Sequence, residues 1–485
     1  MSKINKYGYV IKIKDLSESQ IKKIKKDLLI QPLKNFGNFK IKTFNIYRFN
    51  HSKTKIYLPI YYGIKNFGYP DNKNIFFDDL ENFSDSLFFC NIILREGDQQ
   101  KSYEIFVNNV KSNPYYGGIL NLSTASGKTC IGLKIINELE MKTLIVVNNH
   151  SILNQWKENI YKFLPNTKLG IIQGKNFDIK GKNIVLGMIQ TLTSKFFTSP
   201  INFGLLIVDE VHLIVGKSFS KVYFHISCPY KLGLSATTER EDGLDIVFKY
   251  FIGDIFYSNK INDKNQSNSK QKTKIIVYSY FNPNQKEIFL YDNVTPATSQ
   301  MLTNISKDSK RMKCIINLIK EITQKKGCKE NRKILILSDR IHLLNELKKC
   351  INFTTSGLYI GKMKKEELNE SKKCQILLGT YQLCEIGFNL PDLNTLILAT
   401  PRKNIEQAIG RIYRKGHHIK PIIIDIWDQF SIYKYQFYKR KKIYHDQIKK
   451  GIEFVYYNNK KLNLELNLDP LLTYPPLKDF LIKQT

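Results

Sequence analysis

Short continuous apolar runs recur along the middle and end of the chain, at Gly118–Ser123, Thr143–Val147, Leu169–Ile172, Asn183–Met188 and Gly204–Val208, then at Lys333–Leu337, Gln375–Leu378, Thr395–Leu398 and Pro421–Ile426. Runs without polar alternation suit parallel strands buried on both faces. Helical segments separate them; Lys128–Leu139, for example, carries apolar residues at Ile131, Leu133, Ile135, Ile136 and Leu139. Strand and helix in alternation predict an α/β chain with a parallel sheet in each of two domains. The first 90 residues differ, with strand-like segments at Tyr9–Ile13, Phe39–Tyr47 and Lys55–Tyr62 and a tight surface turn within Leu58–Gly63. A charged helix is predicted over Glu18–Leu29, its apolar stripe at Ile21, Ile24, Leu28 and Leu29. Asn262–Lys274 is polar and lacks large apolar residues, as a flexible loop or hinge does. These patterns divide the chain into a small α+β N-terminal accessory domain (1–90), a first core domain (91–258), a linker (259–305), a second core domain (306–450) and a C-terminal extension (451–485).

Two sites within this frame carry chemistry. At Ser123-Thr124-Ala125-Ser126-Gly127-Lys128-Thr129 a strand passes through small residues into a helix. That geometry aims backbone N–H groups and the positive end of the helix dipole at one point, which favours phosphate. Lys128 can then reach the β and γ phosphates and the Thr129 hydroxyl can ligate magnesium. Leu122 stands where the usual first glycine of this loop would be. Downstream, Gly204–Val208 ends in Asp209-Glu210-Val211-His212. Adjacent carboxylates at the end of a buried strand are unfavourable unless they serve a cation or a proton transfer. Asp209 suits magnesium and Glu210 the orientation and deprotonation of an attacking water.

The order of Ser126-Gly127-Lys128-Thr129, Asp209-Glu210-Val211-His212, Ser235-Ala236-Thr237 and Gln407-Ala408-Ile409-Gly410-Arg411-Ile412-Tyr413-Arg414 resembles superfamily 2 helicases of the DExH type. Gln155-Trp156, Leu234–Gly243 and Thr395–Arg414 point to the branch containing XPB, UvsW and the transcript-release helicases of poxviruses and related large DNA viruses. The resemblance covers roughly residues 91–450 and implies two tandem RecA-like domains that hydrolyse ATP with Mg²⁺. It implies that Gln99 or Gln100 reads adenine and that residues 123–129 bind phosphate. His212, Ser235, Ala236 and Thr237 would couple hydrolysis to domain movement, while Gln190, Thr191 and Thr380 would touch nucleic acid. Gln407, Arg411 and Arg414 would face the nucleotide from the second domain, the two arginines one helical turn apart. Asn389 replaces the family's aspartate and could still bond a ribose hydroxyl, and Ile386 stands at the place of its glutamate. Arg240-Glu241-Asp242 matches a short motif that XPB-type enzymes use in unwinding, and reads equally as a solvated charged turn.

Lysine and arginine number 75 against 43 acidic residues, a formal net charge of +32. Such an excess attracts phosphate backbones with salt-sensitive affinity. It is mostly lysine, however, and travels with abundant asparagine and isoleucine, a bias that an AT-rich genome imposes on any protein. Trp156 and Trp427 sit among apolar residues and read as core before base-stacking platforms. Eight cysteines show no paired metal spacing, in keeping with a reducing, intracellular setting. No apolar run approaches the ~18 residues of a membrane span, so no membrane partner is expected. The resemblance implies a viral helicase or translocase acting on DNA in preference to RNA, with viral transcription machinery as partner, in the host cytoplasm, its virus factories or the virion. An RNA helicase is the alternative; a binding scaffold with a dead ATPase site is a different class, opposed by intact Lys128, Thr129, Asp209, Glu210, Gln407, Arg411 and Arg414.

Overall fold

The apolar runs become the strands of two parallel sheets, one in each of two units, Met1–Gln266 and Ser267–Thr485. The computed structural model describes residues 2–32, 43–77, 90–123, 126–194, 199–238, 240, 242–259, 273–290, 296–324, 332–385, 390, 392–412, 419–447 and 452–458.

In the first unit the main sheet runs Asn176–Phe177, Leu169–Gln173, Ile184–Met188, Thr143–Val147, Leu205–Asp209, Tyr230–Ser235, Tyr116–Asn121, Ile255–Ser258. Every neighbouring pair is parallel except the first, a hairpin. Leu144–Val147 and Leu205–Val208 are buried along their whole length, which explains why neither alternates in sequence. Asp209 pairs with Leu234 and Ser235 with Asn121, so the polar residues that end these strands share one edge of the sheet. Ligands of open parallel sheets bind outside this carboxyl edge.

A second sheet, of order Arg48–Phe49, Lys55–Leu58, Gly8–Lys12, Lys3–Asn5, Ile75–Phe76, covers the N-terminal residues. The helix Glu18–Asp27 starts at a capping box, Ser17 Oγ accepting from Gln20 N and Gln20 Oε1 from Ser17 N. Ile24 and Leu28 are buried, whereas Leu29, expected on the apolar stripe, is 46% exposed. The expected strand and turn at Lys55–Tyr62 differ from what forms. The strand stops at Leu58 and Pro59 leads into a helix, Ile60–Phe67, that buries Ile60, Tyr62 and Gly63. Proline presets the backbone angle for a helix start, and the apolar residues that look like strand positions form one helical face. A Cβ on Gly63 would lie 2.1 Å from Tyr9 Cγ, so only glycine permits this approach. The helix packs on Asp245–Ile252, with Tyr62 edge-on to Tyr250 at 5.1 Å. Ile4, Tyr9, Ile56 and Leu58 share one buried cluster with Val208, Phe248 and Phe251, so the N-terminal sheet shares the core of the first unit.

The second unit orders its strands Ser356–Tyr359, Ile376–Thr380, Ile334–Ser338, Thr395–Leu398, Ile422–Asp428, Thr273–Tyr280, Ile452–Asn458, all parallel. Two strands here correct the expected linker and extension. Thr273–Tyr280 lies between Ile422–Asp428 and Ile452–Asn458, and the helix Thr298–Lys307 buries Met301, Leu302 and Ile305. The polar stretch that suggested a hinge falls almost wholly at 262–272, outside the described residues; the apolar Ile275-Ile276-Val277 directly after it is what makes the strand. Of the arginines buried against this sheet, two are 1% exposed and hold aspartates. Arg311 holds Asp428 through paired bonds of 2.6 and 2.9 Å, and Arg440 Nε donates to Asp425 Oδ2 at 2.8 Å, where Tyr444 also donates. Among the described residues no helix is long and apolar enough to cross a membrane.

Candidate active site

The phosphate-type loop follows the strand Tyr116–Asn121 and ends at Gly127, whose φ of 84° starts the helix Lys128–Leu139. A Cβ there would meet Gln99 Nε2 at 2.3 Å, on top of the strain of a left-handed backbone. Gln99 is buried and clamps the loop: its Nε2 donates to Ser126 O at 2.7 Å while its Oε1 accepts from Arg95 N at 2.8 Å. Gln100 instead donates to Glu104 in an exposed bond. Of the two glutamines, the structure brings Gln99 to the loop. Ser123 and Ser126 hydroxyls bond each other at 2.8 Å, and Lys128 Nζ donates to the carbonyls of Leu122 at 2.8 Å and Ser123 at 3.2 Å. Thr129 lies in the first turn of the helix. Thr124 and Ala125 lie outside the described residues.

A second clamp was not anticipated from sequence. Asn259 Oδ1 accepts from Ser123 N at 3.2 Å and its Nδ2 donates to Asp98 Oδ2 at 3.3 Å, where Tyr257 also bonds Oδ1. Asn121 Nδ2 reaches Thr238 Oγ1 and Ser258 Oγ. A polar residue ending a buried strand, as Asn121 does, is the one sequence signal that could have pointed here.

Asp209 ends the neighbouring strand. Its Oδ2 accepts from the Trp156 indole N–H at 2.8 Å and its Oδ1 from Glu210 N at 2.9 Å. Trp156 is buried in the helix His150–Phe163, so it is core, as its neighbours suggest, but core that holds a site carboxylate. Burial and the adjacent Glu210 charge push the Asp209 carboxyl up to about 6, against the Trp156 bond and the Lys128 charge, which lower it. Glu210 adopts φ 49° and ψ 53°, a left-handed backbone. A non-glycine residue there stores about 1–3 kcal/mol, which only a constrained surround sustains. It turns the chain directly into the short helix Val211–Leu213 that carries His212.

His212 Nδ1 lies 2.8 Å from Ser235 Oγ and 3.4 Å from Glu210 Oε2. The single Ser235 hydroxyl proton goes to Thr237 O at 2.6 Å, so Nδ1 must be the donor and Nε2 the acceptor. Burial first, then the charges of Arg240 and Lys128, press the imidazole down to about 4, so it is neutral at physiological pH. Thr237 N closes the turn onto Ser235 Oγ, and Ala236 is buried between them. Arg240 donates to His212 O at 2.5 Å and grips Asp242 through bonds of 2.9 and 2.6 Å. The charged turn is therefore a half-buried strut behind His212 and not a solvated one; Glu241 lies outside the described residues.

Other expected residues are placed differently. Thr191 is buried with its hydroxyl accepting from Gly174 N, and the exposed Gln190 donates to Asn148 O. In the second unit Thr380 ends the strand Ile376–Thr380. Gln407 lies in a helix of only four residues, Glu406–Ile409; Arg411 follows in a turn, its charge felt by Tyr359. Asn389, Ile386 and Arg414 lie outside the described residues, so the helical spacing expected of Arg411 and Arg414 has no described counterpart. Trp427 stacks on Phe437 at 4.4 Å, as core. Asp339, not singled out from sequence, pairs at 2.8 Å with Arg402 of the Thr395–Arg414 stretch, whose guanidinium lies over the Tyr381 ring.

Hard oxygen donors at Thr129 and Asp209, with a carboxyl destabilised by its own neighbour, fit a magnesium ion, whose charge would relieve that crowding. The set as a whole suits binding a triphosphate and delivering water to it.

Comparison with known proteins agrees. Residues 92–240 match the family described as type III restriction enzyme, res subunit, and residues 310–416 match the helicase conserved C-terminal domain. A protein of Acanthamoeba polyphaga mimivirus named as an ATP-dependent RNA helicase is 32% identical over 442 residues, 88% of this chain and 82% of that one. One from African swine fever virus (isolate Pig/Kenya/KEN-50/1950), also named as an ATP-dependent RNA helicase, is 28% identical over 365 residues, 68% of this chain and 69% of that one. Among solved structures, S. cerevisiae Dbp5 bound to RNA and ADP BeF3 aligns with a TM-score of 0.50 at 12% identity, covering 74% of this chain and 89% of that one, a likeness of fold. The chain belongs to the superfamily 2 helicases, beside these viral relatives, and is an ATP-hydrolysing helicase of nucleic acids.

Proposed function

We propose that the protein is a magnesium-dependent DNA helicase or translocase that serves viral transcription or transcript release. Support for its chemistry comes above all from one observation: Gln99, Lys128, Asp209, Glu210 and His212 are tied into a single bonded or electrostatic network along the carboxyl edge of one parallel sheet. In this reading the backbone at 126–129 and Lys128 hold the phosphates, and Gln99 fixes the loop and reads the base. Thr129 and Asp209 would hold magnesium, which, when bound, screens the phosphate oxygens. Glu210 accepts the proton of the attacking water. Neutral His212, bonded to Ser235, relays the change at Glu210 to the turn at Thr237 and Arg240. As the resemblance implies, Arg411 and Arg414 supply charge to the transferring phosphoryl group, an effect worth ~10³ to 10⁵ in rate where such arginines act, and the neutral Gln407 supplies hydrogen bonds to the nucleotide.

The restriction-enzyme description of the matched region favours DNA. The names of the mimivirus and African swine fever virus relatives favour a second reading, RNA. Steady-state ATP hydrolysis with single-stranded DNA, duplex DNA or RNA at fixed salt decides between them, with Lys128→Ala as blank. Stimulation by DNA above RNA is expected. Stimulation by RNA alone overturns the DNA reading, and wild-type turnover in Lys128→Ala overturns the site.

A further inference from the structure

A groove of about 390 Å³ on the first unit shares no lining residue with the site described above. One wall is the segment Thr43–Arg48 of the N-terminal sheet region, and the other is the segment Lys217–Phe224, which follows the turn bearing Glu210 and His212. Its charged lining residues are Arg48, Lys217 and Lys221, with no carboxylate among them. The Arg48 guanidinium lies 4.4 Å over the Phe224 ring, partly buried, and burial lowers its pKa. None of the three cations makes an ion pair with any described residue. The two fully buried arginines of the second unit, Arg311 and Arg440, each hold an aspartate. Arg48 differs, and a guanidinium held in place by an aromatic ring and facing no anion among the described residues is arranged to receive one. Positive potential is felt nearby: the imidazole of His225 is lowered by burial first, with Arg48 and Lys221 adding to it.

We propose that this groove, which shares no lining residue with the ATPase site, is a nucleic-acid site that takes the phosphodiester backbone of a single strand. Arg48 forks onto a phosphate while Phe224 holds it in place, Lys217 and Lys221 act as point charges along the strand, and Tyr47 offers a ring to sugar or base. A compositional excess of lysine explains neither the arginine nor the absence of acids. The occupant lies against the chain segment that leaves the Glu210–His212 turn, so strand binding here bears on the same stretch that shapes the ATPase site.

The test is anisotropy of a fluorescein-labelled single-stranded oligonucleotide, titrated with full-length protein over a range of salt. Lys217→Glu/Lys221→Glu alters exposed side chains only, and Lys22→Glu/Lys23→Glu, exposed on the helix Glu18–Asp27, controls for general charge. Each phosphate contact contributes about 0.7 to the slope of log affinity against log salt. The groove pair should lower that slope by about 1.4, Arg48→Ala by about 0.7, and the control pair by nothing. ATP turnover without nucleic acid should stay at the wild-type level in all three. Equal slopes in wild type and both groove variants, or an equal drop in the control pair, overturn this site while leaving the helicase reading intact. Failure of the wild type to bind any oligonucleotide overturns both. If Arg48→Ala does not fold, the lysine pair alone decides.

Discussion

Asp209→Asn should make the protein more stable and catalytically dead at once. Burial and the Glu210 charge raise the Asp209 carboxyl from 3.8 to about 6, so holding it ionised in the folded state costs about 3 kcal/mol at neutral pH. That is an upper value, because the side chain is only partly buried. Asparagine removes the charge but has one acceptor oxygen for two donors, Trp156 Nε1 and Glu210 N. Losing one of those bonds returns about 1 kcal/mol, which leaves a net gain of about 2 kcal/mol, or about 4–8 °C in Tm for a unit of this size. The sign follows from a folded pKa above the unfolded one: the penalty is full above about pH 6, falls through that value, and vanishes below 3.8. The stability gap should therefore be widest at pH 7.5 and fall to about a third of that at pH 5, where the ionisation penalty is about 1.6 kcal/mol. The chain has two tryptophans, so in a Trp427→Phe background thermal melts followed by Trp156 fluorescence report the first unit alone. Magnesium and ATP should raise Tm only where Asp209 is intact. An asparagine variant less stable than wild type at pH 7.5, or a gap that does not narrow on acidification, would refute the reasoning.

Two further outcomes follow from side-chain geometry. Trp156→Phe keeps the ring packed by Gly132 but removes the indole N–H from Asp209; since that bond lowers the carboxyl, its loss should weaken magnesium little at pH 7.5 and about threefold at pH 6, with kcat at saturating magnesium changed little. An unchanged magnesium half-saturation at pH 6 would count against Trp156 as a positioning residue. Asp428→Ala strands the buried Arg311 charge and should destabilise the second unit by about 3–5 kcal/mol, most of it recovered by adding Arg311→Met; a loss under about 1 kcal/mol in urea melts would show the pair to be solvated.

Much of this was legible in the chain because buried parallel strands must be apolar throughout and chemistry sits where they end. Asp209 and Ser235 were singled out from the sequence at the ends of apolar runs, and the strands they close are neighbours in the sheet. Harder to read were features that depend on a partner distant in sequence. Trp156 and Asp209 are 53 residues apart, and nothing local tells a core indole from one that orients a carboxylate. Asn259 and Ser123 are 136 apart. Thr273–Tyr280 was misjudged because its polar approach outweighed three apolar residues, and Ile60–Phe67 because a proline followed by apolar residues satisfies both a turn and a helix start.

The loop itself shows how these long-range bonds shape function. Lys128 spends two donor bonds on the carbonyls of Leu122 and Ser123, and a phosphate that takes the ammonium must compete with both. The loop cannot yield as a whole, because Gln99 pins Ser126 from the helix Asp98–Ser112 and Asn259 pins Ser123 from beyond the last strand of the sheet. Between those two pins lie only Thr124 and Ala125, closed by the Ser123–Ser126 hydroxyl bond. The same pinning makes Asn259 a mechanical link, since it bonds the phosphate loop at the point where the chain leaves the first sheet.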